Sequence, residues 1–199
     1  MPLDYAATYP NAIIPYKSSN MVLHVDSYAS YLTIPGGRSC YTGHFYLSDW
    51  PSPKPIKPNP KRNSPIHIEF KTICNVVSSV AETKICGTFN NGKTAISMRP
   101  ALIALDKKQP VIPLKTENST TEVFLNSGME PKISKTWSMK WHWFRYKEFI
   151  DKLRAYWYRG TNNDADYFTK HHLPIHHCQV RPWYIHTSNL LRTISQTIR

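Results

Sequence analysis

Residues 21–34, "MVLHVDSYASYLTI", set the fold. The stretch is rich in β-branched and aromatic residues and holds no proline or glycine, so it reads as a strand. "PGGRS" (35–39) follows as a turn, and "CYTGHFYLS" (40–48) reads as a second strand. Two strands joined by so short a connection form an antiparallel hairpin.

Outward from this hairpin, "DWPSPKPIKPNPKRNSP" (49–65) excludes both helix and central strand, because proline fixes φ and removes the backbone donor. It reads as an extended, solvated loop carrying Lys54, Lys57, Lys61 and Arg62. "IHIEFKTICNVV" (66–77) is a third strand. In "SSVAETKICGTFNNGKTAISMRPALIAL" (78–105), Ser79 and Glu82 have the spacing of a capping box and mark a helix start. Gly92 and Pro100 weaken the case for one unbroken helix.

"PVIPLKTENS" (110–119) is a fourth strand and "TTEVFLNSG" a short helix. "KISKTWSMKWHWFRYKEFIDKL" (132–153) is a longer helix, with Ile133, Trp137, Trp141 and Phe144 on one stripe. "RAYWYRG" (154–160) is a fifth strand, and "NDADYFTKHH" opens a final helix. The first three strands are then antiparallel, and later strands separated by helices can pair in parallel. The expected architecture is a mixed α/β fold, one five-stranded sheet flanked by helices. Residues 1–20 read as a loose lead-in, 21–175 as the domain, and 176–199 as a C-terminal tail.

Lys and Arg number 25 against 13 Asp and Glu, a net charge of +12. That excess points to a polyanionic partner, with nucleic acid the commonest and a membrane surface disfavoured, and the 13% aromatic content excludes disorder by composition. No apolar run approaches the roughly 20 residues of a spanning helix. The N-terminus lacks the basic and apolar regions of a secretory signal, so an intracellular location (cytoplasm or nucleus) is expected. The four cysteines are scattered without a CxxC, which disfavours a zinc ribbon or disulfide framework.

Residues 161–178, "TNNDADYFTKHHLPIHHC", combine Asp164 and Asp166 with four histidines and Cys178. These residue types alone fit zinc, through His and Cys, or magnesium, through carboxylates. The first strand carries Asp26 and the fourth ends at Glu117. With the start of the last helix, these points could converge at one end of the sheet. A two-metal nuclease site, with ions about 4 Å apart, would need carboxylates there.

Over nearly its whole length the chain resembles the ribonuclease H domain of a Copia-type retrotransposon polyprotein, with the segment linking it to the reverse transcriptase. The resemblance lies in "LDYAATYPNAIIPYKSSNMVLHVDSYASYL", "VVSSVAETKICGTFNNGKTAI", "LKTENST", "KTWSMKWHWFRYKE" and "YWYRGTNNDADYFTKHHLPIHH". It makes residues 1–20 the linking segment. It implies a ribonuclease H-like fold, Mg²⁺ or Mn²⁺, and cleavage of the RNA strand of RNA–DNA hybrids. It also implies the reverse transcriptase portion of a parent polyprotein as a partner.

The family's four acidic positions transfer unevenly. The family pattern S-D-A-S-Y-L reads S-Y-A-S-Y-L here, placing Tyr28 at the first. Lys84 stands at the second, two residues after Glu82. Glu117 replaces an aspartate at the third, and Asp166 keeps the fourth. A lysine among metal ligands repels divalent ions, and Mg²⁺ tolerates little change of geometry. Asp26 shares a strand face with Tyr28 but lies about 6.5 Å along it.

The candidate catalytic and metal residues are therefore Asp26, Glu117 and Asp166, at a site expected to be degenerate. Asp164 reads as a first-turn helix charge. The resemblance does not imply zinc for the "HHLPIHH" run, whose histidines read as solvated. Lys135, Lys140, Trp143 and Arg145 interleave charge and aromatic surface and are candidate nucleic-acid contacts. The rival readings are an active metal-dependent hybrid ribonuclease and a non-catalytic interaction module.

Overall fold

The computed structural model describes residues 7–50, 60–127, 135–160, 163–169 and 172–185. Strands β1 (Val22–Ile34), β2 (Arg38–Ser48) and β3 (Pro65–Thr72) precede a long helix, α1 (Val80–Ala104). Then come β4 (Ile112–Thr116), α2 (Ser119–Asn126), α3 (Lys135–Phe149) and β5 (Leu153–Trp157). A 3-10 helix (Asp164–Thr169), helix α4 (Pro174–Val180) and a 3-10 turn (Arg181–Trp183) complete the described chain. The chain divides into two compact units: residues 19–170, which contain the sheet, and residues 1–18 with 171–199.

The sheet order is β3-β2-β1-β4-β5. The β1–β2 and β2–β3 pairs are antiparallel, and β1–β4 and β4–β5 are parallel. This is the mixed five-stranded sheet expected from the order of elements. The hairpin turn is glycine-dependent, with Gly36 and Gly37 at φ 82° and 65°.

Side-chain alternation gives the sheet two unlike faces. On one, Leu23, Val25, Phe45, Leu114 and Ala155 join Ile85, Ala95 and Leu102 of α1 and Trp141 and Phe144 of α3 in the main core. Each fully buried Val, Leu, Ile or Phe side chain in this set stabilises the fold by about 1.5–3 kcal/mol. The opposite face carries His24, Asp26, His44, Tyr46 and Lys115, all buried and mostly polar.

Helix α1 runs unbroken through Gly92 and Pro100. At Gly92 a Cβ would come within 2.9 Å of Leu153 Cδ2, so the missing side chain lets α1 approach β5. Pro100 falls near the C-terminal end, where little helix follows it. At the N-terminus the Glu82 amide donates to Ser79 Oγ at 3.1 Å. The Glu82 carboxylate accepts instead from the Ser78 amide and hydroxyl, at 2.7 and 2.9 Å, so the return half of the capping box is made one residue early.

The expected final helix is two elements. The six-residue 3-10 helix precedes a separate α4, and Leu173 between them is extended at φ −59°, ψ 147°. Pro174 enforces this, because its ring disfavours helical backbone at the preceding residue. Helix α3 is described from Lys135, so Ile133 lies outside the described residues, as do the Lys54 and Lys57 portion of the proline-rich loop and the tail beyond residue 185. The described return of that loop is fixed to β2: Ser48 Oγ donates to Lys61 O at 2.9 Å, and Asn63 Nδ2 to Leu47 O at 2.8 Å.

Candidate functional site

Two polar clusters occupy the places where the sequence puts its carboxylates. The first joins Tyr28, Lys84 and Glu117. Strand β1 positions Tyr28 and the first turns of α1 position Lys84. Glu117 immediately follows β4, the parallel neighbour of β1. The Lys84 ammonium is bonded directly to Glu117 Oε1. The same nitrogen stands 3.7 Å from the centroid of the Tyr28 ring, a cation–π contact. The Lys84 and Glu117 side chains are only 10% and 22% exposed, so the pair is little screened by water.

The surroundings fix Glu117 further. Trp157 Nε1 donates to its backbone carbonyl at 2.8 Å. A Cβ at Gly160 would lie 2.8 Å from Glu117 Oε2, so glycine there leaves room for the carboxylate. Glu82 is separate from this cluster. Burial pushes its carboxyl up, but the Ser78 hydrogen bonds and the Lys140 charge outweigh that and hold it below the ordinary range.

The second cluster lies on the polar face of the sheet. Asp26 is opposite His44 across the β1–β2 ladder and opposite Lys115 across β1–β4. Residues in register share a face, so all three side chains meet. Lys115 Nζ is 3.0 Å from Asp26 Oδ1, and His44 Nδ1 is 3.9 Å from Asp26 Oδ2. Asp164, on the 3-10 helix, pairs with Arg62 at 2.8 Å. Asn163 Nδ2 donates to Ser27 O at 2.9 Å, which ties the start of that helix to β1.

Ligand atoms of Asp26, His44 and Asp164 lie within 4.8 Å of one another. Two carboxylates and an imidazole are a plausible donor set for a divalent ion. Here, however, Lys115 and Arg62 already balance the two carboxylates, and an ion would have to displace one of them. Desolvation lowers the His44 pKa to about 4, against the opposing pull of Asp26, so the ring is neutral. Desolvation and the nearby Asp26 raise the Asp164 pKa to about 6, against the pull of Arg62 and Lys115.

The sequence-predicted residues are thus divided. Asp26 belongs to the second cluster and Glu117 to the first. Asp166 is half-buried on the 3-10 helix, its amide donating to Asn163 O at 3.2 Å. Asp164, rather than Asp166, is the acid of that helix that closes on Asp26. Its reading as a first-turn charge omitted this burial.

Among the α3 candidates, Lys140 is buried and Trp143 packs edge-on against Phe89 at 5.2 Å. Arg145 bonds Glu148 and donates to Asn126 O at 3.1 Å. Lys135 is the first residue of α3, and its side chain lies outside the described residues. His44, Lys115 and Arg62 are functional-site neighbours that sequence reasoning missed. A lysine inside an otherwise apolar strand was the available signal for Lys115.

The Mg²⁺ set implied by the resemblance does not fit this geometry. Of its four positions, Tyr28 is neutral and Lys84 places a cation on the Glu117 carboxylate itself.

No family model and no curated protein matches the chain. Among solved structures, the N-terminal ribonuclease H domain of a Mycobacterium tuberculosis protein, fused to maltose-binding protein, is 8% identical. It covers 74% of this chain and 89% of that one, with a TM-score of 0.45. LC11-RNase H1 from compost is 8% identical with a TM-score of 0.48, covering 73% of this chain and 91% of that one. The same enzyme in complex with an RNA/DNA hybrid is 10% identical with a TM-score of 0.44, covering 74% and 91%.

Proposed function

We propose that this chain is a ribonuclease H-like domain of a Copia-type element whose metal site has been converted into an internal ion pair. In this reading its ancestral task was cleavage of the RNA strand of RNA–DNA hybrids. What persists is metal-independent binding of hybrid or duplex nucleic acid through its net charge of +12. The reverse transcriptase portion of a parent polyprotein would be its neighbour and would help position the hybrid.

The observation that carries the reading is the Lys84 ammonium, bonded to Glu117 and seated over Tyr28. A fixed side-chain cation there supplies positive charge without the open coordination positions that activate water, so no hydrolytic step follows from it. The pairing of Asp26 with Lys115 supports the same reading, because it withholds the nearest carboxylate on β1 from that site.

The test is incubation with an end-labelled RNA–DNA hybrid and Mg²⁺. The wild-type chain is expected to leave the RNA intact, whereas Tyr28→Asp/Lys84→Glu/Glu117→Asp is expected to cut it. Cutting by the wild type that disappears in Glu117→Ala or Asp166→Ala would overturn the reading.

A further inference from the structure

The outer side of helix α3 carries aromatic rings and a lysine that the core does not use. Tyr146 is 57% exposed and Phe149, on the same helix, 85%. Side chains three apart on a helix are neighbours, so the two rings form one surface. Its inner border is the half-buried Trp143, which meets Phe89 of α1 edge-on at 5.2 Å. Two ammonium groups lie among these rings. Lys147 Nζ is 5.0 Å from the Tyr146 ring centroid and 5.7 Å from that of Trp143. Lys93 Nζ, on α1, is 5.1 Å from the Phe89 centroid. The contacts therefore run from Lys93 through Phe89 and Trp143 to Lys147 and Tyr146.

The positive charge of this surface is uncompensated. Among the described residues, neither Lys93 nor Lys147 forms an ion pair with a carboxylate. The acid of α3, Glu148, is bonded to both Arg145 and Arg154 instead. Exposed rings bordered by unpaired cations match a nucleotide, which carries its phosphate within reach of its base. A duplex does not offer that match, because its bases are stacked and present only their edges. A carboxylate-rich peptide would satisfy the lysines and leave the rings without a stacking partner.

We infer that the α1–α3 surface of Phe89, Lys93, Trp143, Tyr146, Lys147 and Phe149 holds single-stranded nucleic acid. Bases stack on Tyr146 and Phe149, backed by Trp143 and Phe89, and phosphates sit at Lys93 and Lys147. This rests on the nucleic-acid binding proposed above and adds to it the strand state and the place.

Fluorescence anisotropy of the full chain with labelled oligothymidylate tests this, with an RNA–DNA hybrid and an abasic oligomer as the other probes. Tyr146→Ala is expected to weaken oligothymidylate binding about tenfold and to leave the hybrid and the abasic oligomer within about twofold. Tyr146→Phe keeps the ring and should bind as the wild type does. Lys93→Ala/Lys147→Ala should make the dependence of log affinity on log salt shallower by about 1.4, the counterion release of two single-strand phosphates. Lys107→Ala/Lys108→Ala removes the same charge from exposed positions beyond the end of α1 and should cost less affinity.

Oligothymidylate binding unchanged in Tyr146→Ala, an equal loss for the hybrid, or an equal loss in Lys107→Ala/Lys108→Ala would overturn the inference. Binding of the hybrid but not of the single strand would also overturn it, while leaving the proposed function standing. Binding of neither would overturn both.

Discussion

A single buried nitrogen governs each polar cluster. Lys115 lies against Asp26, a carboxylate with no exposed surface. Removing one partner of such a pair leaves an uncompensated buried charge, at a cost of about 3–5 kcal/mol. Lys115→Met is therefore expected to lose about that much in urea denaturation. Asp26→Asn/Lys115→Met should lose clearly less, because the double change leaves no stranded ion. Equal losses would show that the pair contributes nothing beyond side-chain packing. At this scale the sequence disclosed the carboxylates but not their counter-ions. Asp26, Glu117 and Asp166 could be named from strand and helix positions. The partnership of Asp26 with Lys115 depends on the β1–β4 register, which no local pattern encodes. Arg62 reaches Asp164 from the far end of a proline-rich loop, a contact set only by the completed fold.

The elements were more legible than the contacts between them. All five strands follow from alternation, β-branched content and turn residues, and the hairpin and crossover connections dictate which pairs are antiparallel and which parallel. Helix α1 was harder to read, because Gly92 and Pro100 look like interruptions until the strands beneath them are in place. The two glycines of α1 mark close approaches instead. At Gly87 a Cβ would fall 2.8 Å from Ala29 Cβ and 3.0 Å from Tyr41 Cβ, both stiffly held atoms on the sheet. Gly87→Ala is expected to destabilise by about 1–3 kcal/mol despite the better helix propensity of alanine, because α1 must lift off β1 and β2. A stability equal to or above wild type in thermal melts would mean the helix–sheet spacing is slack. The 3-10 helix was misread as part of a longer α-helix, since the restriction imposed by Pro174 acts on the residue before it.

Across the whole molecule, the buried polar face makes stability depend on pH. Burial lowers the pKa values of His24 and His44 to about 4, and both would titrate near 6.5 in the unfolded chain. Between those values the unfolded state binds more protons, so this contribution is complete above about pH 6.5 and is lost as pH falls toward 4. It is on the order of 3 kcal/mol for each histidine. Asp164 acts oppositely: with its pKa raised to about 6, it favours the folded state at low pH and less so as pH rises through 6. Two histidines outweigh one carboxyl. The urea midpoint should fall as pH drops from about 6.5 to about 4, and Asp164→Asn should steepen that fall. A midpoint that is flat over this range would mean the histidines are not buried in neutral form. The central claim is that a lysine has replaced the divalent cations, and thermal unfolding with Mg²⁺ against EDTA tests it most directly. The account predicts that the wild-type midpoint is indifferent to Mg²⁺. Tyr28→Asp/Lys84→Glu/Glu117→Asp should melt lower in EDTA and gain several degrees on adding the metal. A wild-type chain stabilised by Mg²⁺ as much as that variant would contradict it.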